Sequence, residues 1–212
     1  MNIFKSLIDI SIAIGKNTVI YPNNPPIEIE MFQNSGGSSY LSKISFGSHT
    51  ATHIDAPRHV SERGVMIDAL PLHVFVGPCR VLDMSASNIS ITKKDLSQKK
   101  IITKERILFK TKNSLRGYNS FYNDYIFLSA DAARYLAEKK VMLVGIDYLS
   151  IKQRGSKDNT PHTALLERSI PILEGIDLSE VTEGSYFLAA LPLKFDHIEA
   201  SPCRAVLLSF LK

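Results

Sequence analysis

Between Ser129 and Ile146 the chain carries the unit that most narrows its fold. Ser129 is a good helix N-cap, Asp131 lies in the first turn of the amphipathic stretch that follows, and Lys139 and Lys140 lie in its last, so the charges suit the helix dipole. Directly after this predicted helix over Ser129–Lys140, Val141–Ile146 is an unbroken apolar run of strand length, as expected for a strand covered on both faces. A helix feeding such a strand marks an α/β chain.

The remaining segments agree with one mixed α/β domain over residues 1–212 in which strands outnumber helices. Ile8–Ile14, Ile27–Phe32 and Tyr40–Phe46 read as strands, separated by a proline-rich loop at Tyr21–Pro26 and a turn at Ser35–Ser39. Leu72–Met84 is apolar and β-rich, with a break expected at Gly77-Pro78. Ile89–Lys100 suggests a short strand and a short helix, Arg106–Lys110 a strand, and Asn113–Asp124 a polar, tyrosine-rich loop. After a turn at Gly155–Thr160, His162–Ser169 reads as a short helix, followed by strands at Ile170–Leu173, Tyr186–Leu191 and Ala205–Leu211. No repeat, low-complexity tract or linker interrupts the order.

Composition excludes several classes. At 212 residues with 44% hydrophobic and 22% charged residues, the chain can bury a proper core. Its +4 charge comes partly from Lys93, Lys94, Lys99, Lys100, Lys104 and Arg106. That cluster is either a basic patch for nucleic acid or a solvated face. No aromatic residues interleave with it for base stacking, so a solvated face is expected. Cys79 and Cys203 stand far apart in no CxxC pattern, which argues against a disulfide framework or a cysteine zinc site and suits a reducing cytoplasm. Met1–Asp9 lacks the pattern of a signal peptide, and no stretch is apolar enough to span a bilayer. A cytoplasmic protein acting on a small molecule, with neither nucleic acid nor membrane as partner, is expected.

The chemistry concentrates in His49-Thr-Ala-Thr-His53-Ile-Asp55-Ala-Pro-Arg-His59, where three of the six histidines of the chain fall within eleven residues. In a strand, His53 and Asp55 leave the same face, so an imidazole and a carboxylate aim at one point, half of a first coordination sphere for a divalent ion such as zinc or manganese. Pro57 cannot continue a central ladder, so the chain should leave the sheet there and His59 can lean over the same point. His49 shares the face of His53 but lies about 13 Å along a regular strand, so it joins the ion only if the chain bends. The small residues Thr50-Ala51-Thr52 permit that bend. A His/Asp pair two apart is often mere strand decoration; three histidines and an aspartate this close favour a metal site.

The segment H-x-x-x-H-x-D-x-P-x-H resembles the signature of the metal-dependent cyclase/hydrolase family that includes bacterial kynurenine formamidase. Tyr21-Pro-Asn-Asn-Pro-Pro26 resembles the family's Trp-Pro-Gly-Asp-x-Pro loop. Gly77-Pro-Cys-Arg-Val81, Val144-Gly-Ile-Asp147, Ile172-Leu-Glu-Gly175, Leu191-Pro-Leu-Lys-Phe195 and Ala200-Ser-Pro-Cys-Arg-Ala-Val206 follow in the family's order, covering the chain from about residue 8 onward.

The resemblance implies a mixed, barrel-like sheet with peripheral helices, usually in a homodimer, with the first strand and the Tyr21 loop near the interface. It implies two divalent ions, zinc or manganese, held by His49, His53, Asp55, His162 and Glu174, with Asp55 and Glu174 bridging. His59 corresponds to the catalytic acid/base and Tyr21 to the aromatic residue that stacks on substrate. Glu167 is the nearest rival to Glu174, but at five residues from a helical His162 it faces elsewhere and is expected at the surface. His73 and His197 match no ligand position. Two departures bear on substrate: Tyr21 replaces tryptophan, and Asp147-Tyr-Leu-Ser150 differs from the Asp-Thr-Pro-Ser of formamidases. The implied reaction is hydrolysis of an aryl formamide such as N-formylkynurenine by metal-activated water. The alternatives are ring opening of another small cyclic amide or lactone, as in isatin-hydrolase-like relatives, and a metal- or ligand-binding module without turnover. A partly exposed loop tyrosine is the plainer reading of Tyr21.

Overall fold

The computed structural model describes residues 4–33, 37 and 39–210. In chain order the strands are β1 (Phe4–Asp9), β2 (Glu28–Gln33), β3 (Tyr40–Ser45), β4 (His53–Asp55), β5 (Val76–Asp83), β6 (Ser90–Ile91), β7 (Arg106–Lys110), β8 (Phe127–Leu128), β9 (Leu143–Ile146), β10 (Ile172–Glu174), β11 (Gly184–Ala189), β12 (Ala200–Pro202) and β13 (Val206–Phe210). The helices are α1 (Lys93–Ser97), α2 (Lys112–Arg116), α3 (Ala130–Glu138) and α4 (Thr160–Leu166).

Nine strands form one curled sheet in the order β1-β13-β11-β5-β7-β9-β10-β4-β12. The neighbours β5, β7, β9 and β10 run parallel, and both flanks are antiparallel. Parallel neighbours need crossovers, and crossovers of one hand put their helices on one face. Leu96 of α1, Ala133 and Leu136 of α3 and Leu165 of α4 accordingly pack on Ile107, Phe109, Val144 and Ile172 in a single cluster. The intervening Leu108, Leu143 and Leu173 point the other way, into a second cluster with Ile54, Phe75 and Leu207. The sheet curls back on itself after β1: Ser11 bridges Ile176, and Asp177 donates its N–H to the Ile10 carbonyl at 2.9 Å.

Several boundaries differ from expectation. The first strand covers Phe4–Asp9 rather than Ile8–Ile14, because residues 10–12 leave β13 to bond Asp177 and Thr52. The break at Gly77-Pro78 does not occur; β5 runs through it. Pairing with β7 begins only at Arg80, so the missing Pro78 N–H costs no bond on that side. The Asn113–Asp124 loop opens with α2, whose Thr111 cap accepts from the Asn113 N–H at 3.0 Å and whose first turn is anchored on the buried Asp147 carboxylate. Ser129 stands at the N-cap of α3, but its hydroxyl donates to the Ile91 carbonyl at 2.8 Å instead of capping. The fourth helix begins at Thr160, inside the expected turn, and ends at Leu166. The turn at Ser35–Ser39 lies largely outside the described residues, as does Leu211.

Arg106 does not belong to a solvated basic face. It is buried, and its guanidinium donates to the carbonyls of Val74 (2.8 Å), Pro78 (3.2 Å) and His73. Lys93, Lys94, Lys100 and Lys104 are exposed, and Lys99 is half-buried beside Glu183. Among the described residues no helix is long and apolar enough to cross a membrane. Among the described residues the ribbon of β2 and β3 pairs with no other strand, and Met31, Tyr40, Leu41 and Ile44 on it are exposed.

Candidate metal centre and active site

The register of β10 against β4 sets Glu174 opposite His53 and Ile172 opposite Asp55. Ile54 enters the inner core, so its neighbours His53 and Asp55 face the helix-bearing side together. There α4 supplies His162 from its first turn, just after Pro161, a residue suited to that position. The chain leaves β4 at Pro57 in a single tight turn, Pro57–His59, which brings His59 back over the strand. The bend needed for His49 is present. Ala51 adopts a left-handed φ of 52°, and Gly175, at φ 67°, leaves room for it. A Cβ on Gly175 would lie 2.2 Å from the Ala51 carbonyl oxygen. The Thr52 hydroxyl donates to the Gly175 carbonyl and so ties the bend to the end of β10.

All the residues singled out around this point meet. His49 Nδ1 lies 2.8 Å from Asp55 Oδ1, and His53 Nε2 lies 3.3 Å from the same oxygen and 3.6 Å from Glu174 Oε2. His162 Nε2 lies 3.3 Å from Glu174 Oε1 and 3.8 Å from Asp55 Oδ2. The His59 ring lies 4.3 Å from that of His49, tilted against it, and 5.3 Å from that of His162, edge-on, centroid to centroid. Glu167 is exposed at the end of α4, and His73 is exposed elsewhere. His197 is exposed beside Asp68 and Asp196, away from this cluster.

The donor set fits a divalent cation. Among the described residues, His53 Nε2 and both Asp55 oxygens are buried and find no partner beyond the ionisable side chains of the cluster itself, whereas buried polar atoms are normally paired with the rest of the protein. His53 Nδ1 is engaged by the Ala51 carbonyl at 3.0 Å, which leaves Nε2 for the centre. His49, Asp55 and His59 form one group with ligand atoms in mutual reach, and His53, Asp55 and Glu174 form another, with Asp55 common to both. Imidazole with carboxylate suits zinc, manganese and similar ions.

The charges respond to this crowding. Burial opposes the charge of Asp55, but the imidazoles of His49 and His59 hold it well below the usual carboxylate range. Burial likewise opposes a charged His49, yet Asp55, Glu199 and Glu174 push it up to about 10, so a cation binding there would displace the Nδ1 proton and leave a neutral ring. His59 is open to solvent on one side, but the burial of its ring, reinforced by His49 and His162 and countered by Asp55 and Glu174, holds its pKa below the ordinary imidazole value. Burial and the imidazole neighbours both favour its uncharged form.

A cleft of about 210 Å³ opens over His49, His59, His162 and Glu174, walled by Tyr21, Asn24, Ser150, Lys152 and Asn159. Asn24 donates its side-chain N–H to the His49 carbonyl at 3.1 Å, tying the Tyr21 loop over the centre, and Asn23 takes the left-handed φ of 79° that the turn requires. The Tyr21 ring sits edge-on to Phe121 at 5.3 Å, with the Arg154 guanidinium 5.7 Å from the Tyr21 ring. The polar, tyrosine-rich loop thus packs Phe121 against Tyr21. Sequence reasoning missed Glu199, whose Oε1 lies 3.4 Å from His49 Nε2. The His49 side-chain contact, opposed by burial and helped by Ser48, draws its carboxyl down to about 2.

Known proteins share this fold and much of this sequence. The sequence model of the Cyclase family matches residues 8–153. A kynurenine formamidase of Salinibacter ruber is 37% identical over 95% of this chain and 97% of its own length. A solved structure from Bacillus stearothermophilus, described as a predicted metal-dependent hydrolase, superposes with a TM-score of 0.86 at 38% identity, over 96% of this chain and 98% of that one. An isatin hydrolase of Ralstonia solanacearum shares the fold, with a TM-score of 0.82 at 24% identity over 96% of this chain and 92% of its own. Identity of this order along nearly the whole of both chains, on the same fold, makes the protein a member of the Cyclase family.

Proposed function

We propose that the protein hydrolyses an aryl formamide such as N-formylkynurenine, with His49, His53, Asp55, His162 and Glu174 holding two divalent ions of the zinc or manganese kind. The observation that carries this reading is the convergence of five ligand-type side chains beneath the His59 ring, in a cleft that Tyr21 lines. When bound, such ions supply Lewis acidity to a carbonyl oxygen and bring the pKa of water down to about 7 in favourable sites. His59 accepts the proton released as water adds to the formyl carbon, then returns it to the leaving nitrogen as the C–N bond breaks, giving formate and the free amine. Asp55 and Glu174 offset the positive charge of the centre. Tyr21, braced by Phe121 and Arg154, presents a flat surface to the aryl ring. The names of the formamidase relatives favour this reading over ring opening of a cyclic amide.

The test is formate release from N-formylkynurenine by zinc- and manganese-loaded protein, run beside ring opening of isatin. Formate release is expected to dominate. Ring opening of isatin without formate release would replace the substrate assignment, and metal binding with no turnover of either would leave a binding module. A stacking contact is worth about 0.5–1.5 kcal/mol, so Tyr21→Ala should raise KM for N-formylkynurenine by about 2- to 13-fold with a smaller change in kcat. An unchanged KM would return Tyr21 to the role of an ordinary loop residue.

The same reading carries a homodimer in the cytoplasm. The exposed ribbon of β2 and β3 offers the face for it, since a two-stranded hairpin is marginal in water without a partner. Met31→Lys combined with Ile44→Lys, two exposed residues on one face of the ribbon, is expected to convert the sedimenting species from dimer to monomer. Sedimentation identical to the parent would remove the ribbon from the interface.

A further inference from the structure

The proposed centre uses one ring nitrogen of His49, and the second has a partner of its own. Nδ1 lies 2.8 Å from Asp55 Oδ1, while Nε2 lies 3.4 Å from Glu199 Oε1 on the opposite side of the ring. The Ser48 hydroxyl donates to that same Glu199 oxygen at 2.5 Å. The Glu199 carbonyl accepts the Ala56 N–H at 2.8 Å, just past the end of β4. Glu199 is thus bonded at both ends of the segment that carries His49, His53 and Asp55.

A neutral imidazole has one N–H and one lone pair, and the nitrogen that faces a cation must carry the lone pair. We propose that Glu199 is the positioning residue of His49: by accepting the Nε2–H it fixes the tautomer and ring orientation in which Nδ1 faces the metal beside Asp55. The inference rests on the metal-centre reading above. Packing does not account for this contact, because the Glu199 side chain is 35% exposed at the rim of a solvent-facing groove that it shares with Arg58, His59 and Glu62. Glu199 is not among the residues lining the Tyr21 cleft. Ser48 holds the carboxylate in place, so it belongs to the same device.

The test is the zinc dissociation constant, measured by chelator competition on the full chain for the parent, Glu199→Ala, Glu199→Gln and Ser48→Ala, with the melting temperature of each metal-free protein alongside. Loss of a carboxylate behind a ligating histidine costs about 10- to 100-fold in metal affinity, and that loss is expected for Glu199→Ala. Glu199→Gln keeps an acceptor oxygen and should recover part of it, and Ser48→Ala should shift affinity in the same direction by less. The visible spectrum of the cobalt-loaded protein should change in Glu199→Ala, while the metal-free melting temperatures stay close to that of the parent. Zinc affinity in both Glu199→Ala and Ser48→Ala within about twofold of the parent, or a fall in metal-free melting temperature alone, would overturn the inference. A parent that binds no zinc would sink the metal-centre reading itself, and this inference with it. A zinc-binding parent with indifferent variants would remove only Glu199.

Discussion

Replacing His59 with alanine should lower kcat on N-formylkynurenine by about 10²- to 10⁴-fold, the usual worth of a general acid/base, with divalent metal still bound. The expectation follows from where the ring sits. His59 ends the tight turn that begins at Pro57, with its N–H bonded to the Ala56 carbonyl at 2.9 Å, and its ring lies over His49 and His162 at the cleft. Its pKa is held below the ordinary value, first by burial of the ring and then by its imidazole neighbours. The uncharged form, which can accept a proton, therefore persists to lower pH than for a free imidazole. The parent's activity should fall as pH drops through this lowered pKa, and the residual activity of His59→Ala should lack that limb. Metal analysis is the deciding companion measurement, because His59 also lies within ligand reach of His49 and Asp55. Turnover lost together with bound metal would make His59 a ligand. Full turnover would remove it from the chemistry.

Gly175→Ala should act on the architecture beneath the centre. At φ 67°, an L-residue costs about 1–2 kcal/mol relative to glycine, and the added Cβ would lie 2.2 Å from the Ala51 carbonyl oxygen. That obstacle is backbone, so either the 49–53 bend or the end of β10 must move. A total loss of about 2–4 kcal/mol is expected, read as a fall of roughly 5–15 °C in melting temperature for a chain of this size. Metal content should fall as well, because His49 and His53 lie on one side of the contact and Glu174 on the other. A melting temperature and metal content equal to the parent's would show that Gly175 does not hold the bend.

The sequence makes parts of this site readable and hides others for physical reasons. His53, Asp55 and the exit at Pro57 follow from strand periodicity and the missing proline donor, and β4 spans His53–Asp55. His49 was readable only as a condition, since nothing in Thr50-Ala51-Thr52 announces a left-handed alanine; the space for it is made by a glycine more than a hundred residues away. His162 and Glu174 came from family resemblance alone, because their approach depends on the β10–β4 register, which is a long-range pairing. Glu199 had no local signal at all. It precedes β12, a three-residue strand with a proline and too short for alternation to show. Among the elements, the helix and strand of residues 129–146 were clear because each has a full period, whereas the five-residue α2 has none and is held by the distant Asp147.

The pairing of β4 has a consequence for how the molecule is made. Both of its neighbours, β10 at Ile172–Glu174 and β12 at Ala200–Pro202, are synthesised long after it. Contacts of such high sequence separation form late and slowly. A nascent chain therefore carries His49, His53 and Asp55 as loose donors until the last strands emerge from the ribosome. On the proposed ligand set, the full cation site is complete only after β10 has paired with β4.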